Sequence, residues 1–219
     1  MSSRMIGTSR SQMLYWFALF VGATYFVAQR TGLEVGDMTA WKALGVGLLA
    51  LWAARHADGV DGWAVTAVLA CGAAGDVLLE THGFVVGGVA FLAGHVIAIW
   101  LYARDRWRQG LVPIVVSAFA VAVVALAMTS AVGITVYAAV LGAMAGAASL
   151  GRFPRVVAIG AWLFVVSDLL IFARMGPLAD SVVPDWTVWP TYFAAQALIA
   201  YGVVTAQAEV PDDDLHHRL

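Results

Sequence analysis

Asp76, Glu80, His95 and Asp168 are ionisable side chains inside long apolar stretches. A charged side chain at the centre of a membrane-spanning helix costs roughly 2.5–3.5 kcal/mol on insertion scales, so its presence calls for a partner or a function. Gln196, Tyr192, Tyr137 and Ser167 are uncharged polar companions in similar surroundings. Two carboxylates sharing a low-dielectric pocket divide into one protonated and one ionised group, the arrangement that general acid/base chemistry requires. The same aspartates with His95 could instead hold a divalent metal. No second histidine lies in an apolar stretch, so such a site would be carboxylate-rich and untypical of zinc. His95 alone could also be a structural histidine bonded to a neighbouring helix.

The elements that carry these residues follow from composition. Of 219 residues, 62% are hydrophobic and 12% charged, with mean hydropathy +0.84. A soluble domain has about a quarter charged residues. Too few polar side chains exist to cover a water-facing surface, so a bilayer must solvate most of the exterior. Only helices or closed barrels satisfy their backbone groups there. The apolar runs are continuous and rich in Ala, Leu, Val and Gly rather than alternating, which argues against a barrel. The sequence predicts an all-α, polytopic membrane protein of eight transmembrane helices, at about 13–29, 39–54, 62–80, 84–103, 111–128, 131–150, 155–173 and 187–207. Each approaches the roughly 20 residues that a span needs. The second is short, with Gly45 and Gly47, and Thr129-Ser130 leaves room only for a tight fifth-to-sixth hairpin. Residues 1–12 read as a cytoplasmic N-terminal segment, 13–207 as the membrane domain and 208–219 as a polar tail. Arg4 and Arg10 before the first run resemble a signal peptide, but no small-residue cleavage site follows, so the run reads as a retained helix. His216 and His217 in the tail do not read as a metal site. Cys71 is alone and reads as a buried thiol. Net charge is −2 with no basic tract, which gives no sign of a nucleic-acid partner.

Basic residues set the orientation. With the N-terminus in the cytoplasm, the inside set is Arg4, Arg10, Arg55, Arg104, Arg106, Arg108, Arg152, Arg155 and Arg218, against Arg30, Lys42 and Arg174 outside. Both termini are then cytoplasmic. Helix rise places Asp76 and Asp168 roughly 20 Å up from the inner face and His95 and Gln196 roughly 14–17 Å down from the outer one. In a core about 30 Å thick, all four fall near one level. Glu80, one turn beyond Asp76, lines the mouth of such a pocket or sits at the interface with Thr81 and His82. Trp63, Trp100, Trp107, Trp186 and Trp189 fall near helix ends, where an aromatic belt explains them. Gly142 and Gly146 form a small-xxx-small pair suited to close helix packing. Gly75-Asp76-Val77-Leu78-Leu79 in the third segment has a counterpart in Ser167-Asp168-Leu169-Leu170-Ile171 of the seventh. Likewise Phe91-Leu92-Ala93-Gly94-His95 in the fourth matches Tyr192-Phe193-Ala194-Ala195-Gln196 in the eighth. The pattern suggests two parallel four-helix repeats related by an axis along the membrane normal.

Over helices 2 to 8 the chain resembles the YhhN family of membrane lysoplasmalogenases. The resemblance rests on Gly75 to Leu79, Phe84 to His95, Ser167 to Leu170 and Tyr192 to Gln196, in this order and spacing. Family members often have an aromatic shortly after the fourth-helix histidine. Here Val96-Ile97-Ala98 follow, with Trp100 later, so local substrate contacts differ. The resemblance implies an ether hydrolase of a bacterial cytoplasmic membrane. Its substrate would be a lysophospholipid, a 1-alkenyl-glycerophospholipid cleaved at the vinyl ether bond to a fatty aldehyde and glycerophospho-ethanolamine or -choline, with no metal or organic cofactor. Vinyl ether hydrolysis begins with proton transfer to carbon and passes through an oxocarbenium-like cation, so a strong acid and a neighbouring anion suit it. On that reading Asp76 and Asp168 are the catalytic pair, and His95, Tyr192, Gln196, Glu80 and Ser167 contact substrate or water. Which aspartate donates is left open by the residues. The competing class is a non-enzymatic transporter or lipid-binding protein with a buried Asp/His proton relay. A metal-dependent lipid amidase or esterase is a third.

Overall fold

The computed structural model describes residues 10–33, 36–104 and 110–208. These form eight helices: α1 (Arg10–Thr31), α2 (Met38–Arg55), α3 (Gly59–His82), α4 (Phe84–Ala103), α5 (Val112–Thr129), α6 (Val132–Leu150), α7 (Arg155–Arg174) and α8 (Val183–Ala208). All eight expected segments are helical. Five of them, α3 to α7, are long and apolar enough to cross a membrane. The other three carry Tyr, Trp, Thr and charged residues among their aliphatics: Tyr15, Trp16 and Tyr25 in α1, Trp41, Lys42 and Trp52 in α2, Trp186, Thr187 and Thr191 in α8. Large apolar side chains such as Trp16, Phe20, Val85, Phe119 and Val132 are exposed on the outside, as expected where lipid is the solvent. Arg4, Arg106, Arg108, Arg218, Trp107, His216 and His217 lie outside the described residues, as does nearly all of both terminal segments.

Local sequence explains the breaks. Asp37 caps α2, its Oδ1 accepting from Thr39 N at 2.9 Å and Ala40 N at 3.2 Å. Such a cap satisfies backbone donors that a helix start leaves unpaired. Gly83 separates α3 from α4 with φ +86°, a conformation glycine adopts without steric cost. The tight α5–α6 hairpin turns on Ser130, at φ 53°, whose N–H bonds Leu126 O at 2.8 Å.

Packing builds a closed ring, with α3 against α4, α4 against α6, α6 against α7, α7 against α8 and α8 back against α3. Helix α2 covers α3 and α8, α1 covers α2 and α8, and α5 lies outside on α6 and α7. Gly142 and Gly146 sit where α6 meets α5. A methyl at Gly146 would stand 2.8 Å from Pro113 O, and one at Gly142 would collide with Ser117 O. At one end of the bundle, Asp61 of α3 takes both Nη atoms of Arg152 at 2.6 and 2.7 Å and lies 3.3 Å from Arg104 Nη2. The start of α3 thus meets the ends of α4 and α6, as up-and-down alternation requires.

Two expectations are corrected. Trp189 is not a belt residue: it is 6% exposed, donates from Nε1 to Gly22 O at 2.9 Å and stacks on Phe193. Helix α8 begins at Val183 rather than near 187, which carries Trp189 more than a turn into the bundle. Trp63, Trp100 and Trp186 are exposed near helix ends, as a belt requires. Cys71, expected to be buried, is only partly so.

Candidate active site

Among the described residues, the polar or charged side chains that are buried are Asp76, His95, Ser167, Asp168 and Gln196. All five belong to one site, built around a cavity of about 760 Å³ bordered by the ring helices together with α1 and α2. Asp76 from α3 and Asp168 from α7 both line it, as do Tyr192, Tyr137, Ser167 and Glu80.

Each aspartate is held by a tyrosine. Tyr192 Oη donates to Asp76 Oδ2 at 2.8 Å, and Tyr137 Oη donates to Asp168 Oδ2 at 2.7 Å. Behind each phenol stands one of the other buried polar groups. Gln196 Nε2 donates to Tyr192 Oη at 3.3 Å, from the next turn of α8. His95 Nε2 lies 3.0 Å from Tyr137 Oη. With the phenolic hydrogen of Tyr137 directed at Asp168, its oxygen accepts from His95 in the tautomer protonated on Nε2. The result is two relays, Gln196–Tyr192–Asp76 and His95–Tyr137–Asp168. His95 and Gln196 do not border the cavity; they orient the tyrosines that do. Ser167 borders it, but its Oγ donates to Val188 O at 3.1 Å and ties α7 to α8.

Small residues make this packing possible. A methyl at Gly72, one turn before Asp76, would collide with Gln196 Nε2 and stand 3.3 Å from Tyr192 Oη. At Gly75 it would meet the Phe91 ring at 2.8 Å. Phe91 and Phe164 both pack edge-on to Tyr192, with centroids 5.8 and 5.3 Å away. Phe164 also packs edge-on to His95, at 4.9 Å. Aromatic edges thus fix both relays while leaving the carboxylates toward the cavity.

Sequence reasoning missed the role of Lys42. It stands in the first turns of α2, with its Nζ 3.6 Å from Asp76 Oδ1 and 2.9 Å from Glu80 Oε1. Its side chain is 15% exposed. Glu80 therefore lines the cavity as half of an ion pair. A signal for this exists: the rise arithmetic that levels Asp76 with Asp168 also levels the start of α2 with the end of α3. As a bare count of basic residues, however, Lys42 is only an outside charge.

The cavity has a polar end and an apolar remainder. Arg30, Lys42 and Arg174, the three cations assigned to the outer side, all border it, with Glu80 and Asp185. Arg174 Nη2 pairs with Asp185 Oδ1 at 2.6 Å. Arg30 stacks its guanidinium over Trp186 at 5.6 Å, and its buried Nε has no hydrogen-bond partner among the described residues. Val89 and Leu92 of α4 with Ile134 and Val136 of α6 supply apolar wall. Among the described residues no three His, Cys, Asp or Glu side chains gather as metal ligands would.

The described residues are all helical or in short turns, five of the helices could cross a membrane, and two aspartates face one open-ended cavity between them. The YhhN family model matches residues 38–203, from the start of α2 to the last turns of α8, and the chain belongs to that family. No curated protein and no solved structure matches the chain.

Proposed function

We propose that this protein is a lysoplasmalogenase-like ether hydrolase, cleaving the vinyl ether bond of a 1-alkenyl-glycerophospholipid to a fatty aldehyde and a glycerophospho-ethanolamine or -choline. The observation that carries the reading is the pair of buried aspartates on one cavity, each held by its own tyrosine. Protonation of the alkene carbon by one carboxyl generates an oxocarbenium-like cation. The other carboxylate stabilises that cation and accepts a proton from the attacking water. These steps use the chain's own groups and call for no metal or organic cofactor.

The rest of the cavity suits the substrate. Its apolar wall accommodates the single hydrocarbon chain, and Arg30 and Arg174 at the polar end can meet the phosphate, guanidinium being well matched to phosphate oxygens. Tyr192 and Tyr137 reach the cavity to orient water and the ether oxygen. His95 and Gln196 act through them.

The same reading has all eight helices spanning a bacterial cytoplasmic membrane, both termini inside and the polar end of the cavity at the outer face. Support comes from the convergence of Arg30, Lys42 and Arg174 at one end and of Arg104 and Arg152 on Asp61 at the other. It also has two parallel four-helix repeats. Packing of α8 on α2 parallels that of α4 on α6, and α1 on α2 parallels α5 on α6.

The test is incubation of purified protein with 1-alkenyl-glycerophosphoethanolamine, following free aldehyde and the released glycerophospho-ethanolamine in equal amounts. Proton-coupled uptake of the lipid into vesicles with no aldehyde would favour a transporter instead. Activity lost on chelation, with stoichiometric metal in the purified protein, would point to a metal-dependent hydrolase.

A further inference from the structure

The two aspartates differ in what surrounds them, and the difference bears on which one gives the proton. Both oxygens of Asp76 are engaged: Oδ2 accepts from Tyr192 and Oδ1 faces the Lys42 ammonium at 3.6 Å. Asp168 has no cation within ion-pairing distance among the described residues. Its Oδ2 accepts from Tyr137, while Oδ1 makes no hydrogen bond to a described residue and is not sealed in the protein. A buried carboxylate without a countercharge is costly, whereas one paired with an ammonium and a phenol is stabilised. A neutral carboxyl at Asp168 fits the contacts it has. The carbonyl oxygen takes the tyrosine and the hydroxyl is left toward the cavity.

We infer that Asp168 holds the transferable proton and Asp76 the negative charge, and that Lys42, held by Glu80, is the positioning residue that enforces this division. The roles in turnover rest on the hydrolase reading. The Asp168 carboxyl gives its proton to the β-carbon of the vinyl ether, the C=C π pair forms the new C–H bond, and the oxygen-bearing carbon becomes the oxocarbenium centre. Water adds to that carbon and gives one proton to the Asp76 carboxylate, forming a hemiacetal. The hemiacetal hydroxyl then passes its proton to Asp168 as the bond to the glycerol oxygen breaks, and that oxygen takes the proton from Asp76. The aldehyde and the free glycerol hydroxyl leave, and both aspartates are back in their starting states.

The test is infrared spectroscopy of the purified protein in an ester-free detergent at neutral pH, without substrate, reading the carbonyl stretch of protonated carboxylic acids by its shift in D₂O. Wild-type protein should show such a band. Asp168→Asn should remove it and Asp76→Asn should keep it. Lys42→Met should add a second protonated carboxyl, and Lys42→Arg should not. In turnover, Lys42→Met should lower kcat by roughly 10- to 100-fold with KM little changed, the scale of losing a charge-assisted contact, and Lys42→Arg should restore most of it. A band lost in Asp76→Asn but kept in Asp168→Asn, or no band in the wild type, overturns the assignment. Should Lys42→Met fail to fold, Lys42→Gln removes the charge in its place, and the same added carboxyl band is expected. Aldehyde release with the reversed band pattern contradicts this assignment alone; the expected pattern without aldehyde release contradicts the hydrolase reading.

Discussion

The Asp76 and Asp168 sides of the cavity are built to one plan and diverge at two points. Each runs from a buried polar group through a tyrosine to an aspartate, and each aspartate lies on a helix of the ring. The motifs that carry the aspartates correspond, as do those that carry His95 and Gln196. The tyrosines break the correspondence. Tyr192 shares α8 with Gln196, whereas Tyr137 comes from α6 rather than from the helix of His95. Only the Asp76 side has Lys42 and Glu80. On the proposed reading, that cation gives two similar half-sites unlike charges, which is what an acid and a base need.

Substitutions on the two sides should differ in effect. The largest effects should come from the aspartates: Asp168→Asn and Asp76→Asn should each lower aldehyde release by roughly 10²- to 10⁴-fold, the usual contribution of general acid–base groups. Both proteins should stay folded by gel filtration and circular dichroism. Next, Gly72→Val should push Gln196 off Tyr192 and so loosen Tyr192 from Asp76, since even a methyl there collides with Gln196. Overpacking of this kind costs about 1–3 kcal/mol, to be read as a lower melting temperature in detergent with activity reduced.

The tyrosines should then separate the two sides. If Asp76 carries the charge and Asp168 the proton, Tyr192→Phe removes a hydrogen bond to a charged group, worth roughly 1.5–3 kcal/mol, and Tyr137→Phe one to a neutral group, worth about 0.5–1.5 kcal/mol. Their kcat values should be reduced unequally, the Tyr192 variant more; equal losses would argue that the two carboxyls carry equal charge. The smallest effect belongs to the rim. Asp185→Asn breaks an ion pair whose members are both nearly half exposed, and such pairs contribute about 0–1 kcal/mol. Melting temperature should hardly move.

Much of the fold is legible in the sequence because a bilayer leaves few alternatives. Long apolar runs must be helices, and all eight lie where the sequence places them, with differences of a few residues at ends such as Val183. The buried polar residues are legible for the same reason: Asp76, His95, Ser167, Asp168 and Gln196 are out of place by transfer energy alone. What is not legible depends on helix rotation and on which helices touch. That Tyr137 meets Asp168, 31 residues away, requires α6 to pack against α7 with one particular face inward. Lys42 is hidden by its position, since a lysine near a helix end has an ordinary explanation at the membrane surface. Trp189 is misplaced by sequence because the polar first turn of α8, with Asp185, does not look like part of an apolar helix.

Acid/base cleavage of a vinyl ether by two aspartates on one cavity is tested by aldehyde release from 1-alkenyl-glycerophosphoethanolamine, with the purified wild type beside Asp76→Asn and Asp168→Asn. The wild type should release aldehyde steadily, and either folded variant almost none. Absence of aldehyde from the wild type, or near wild-type release by either variant, would contradict that mechanism.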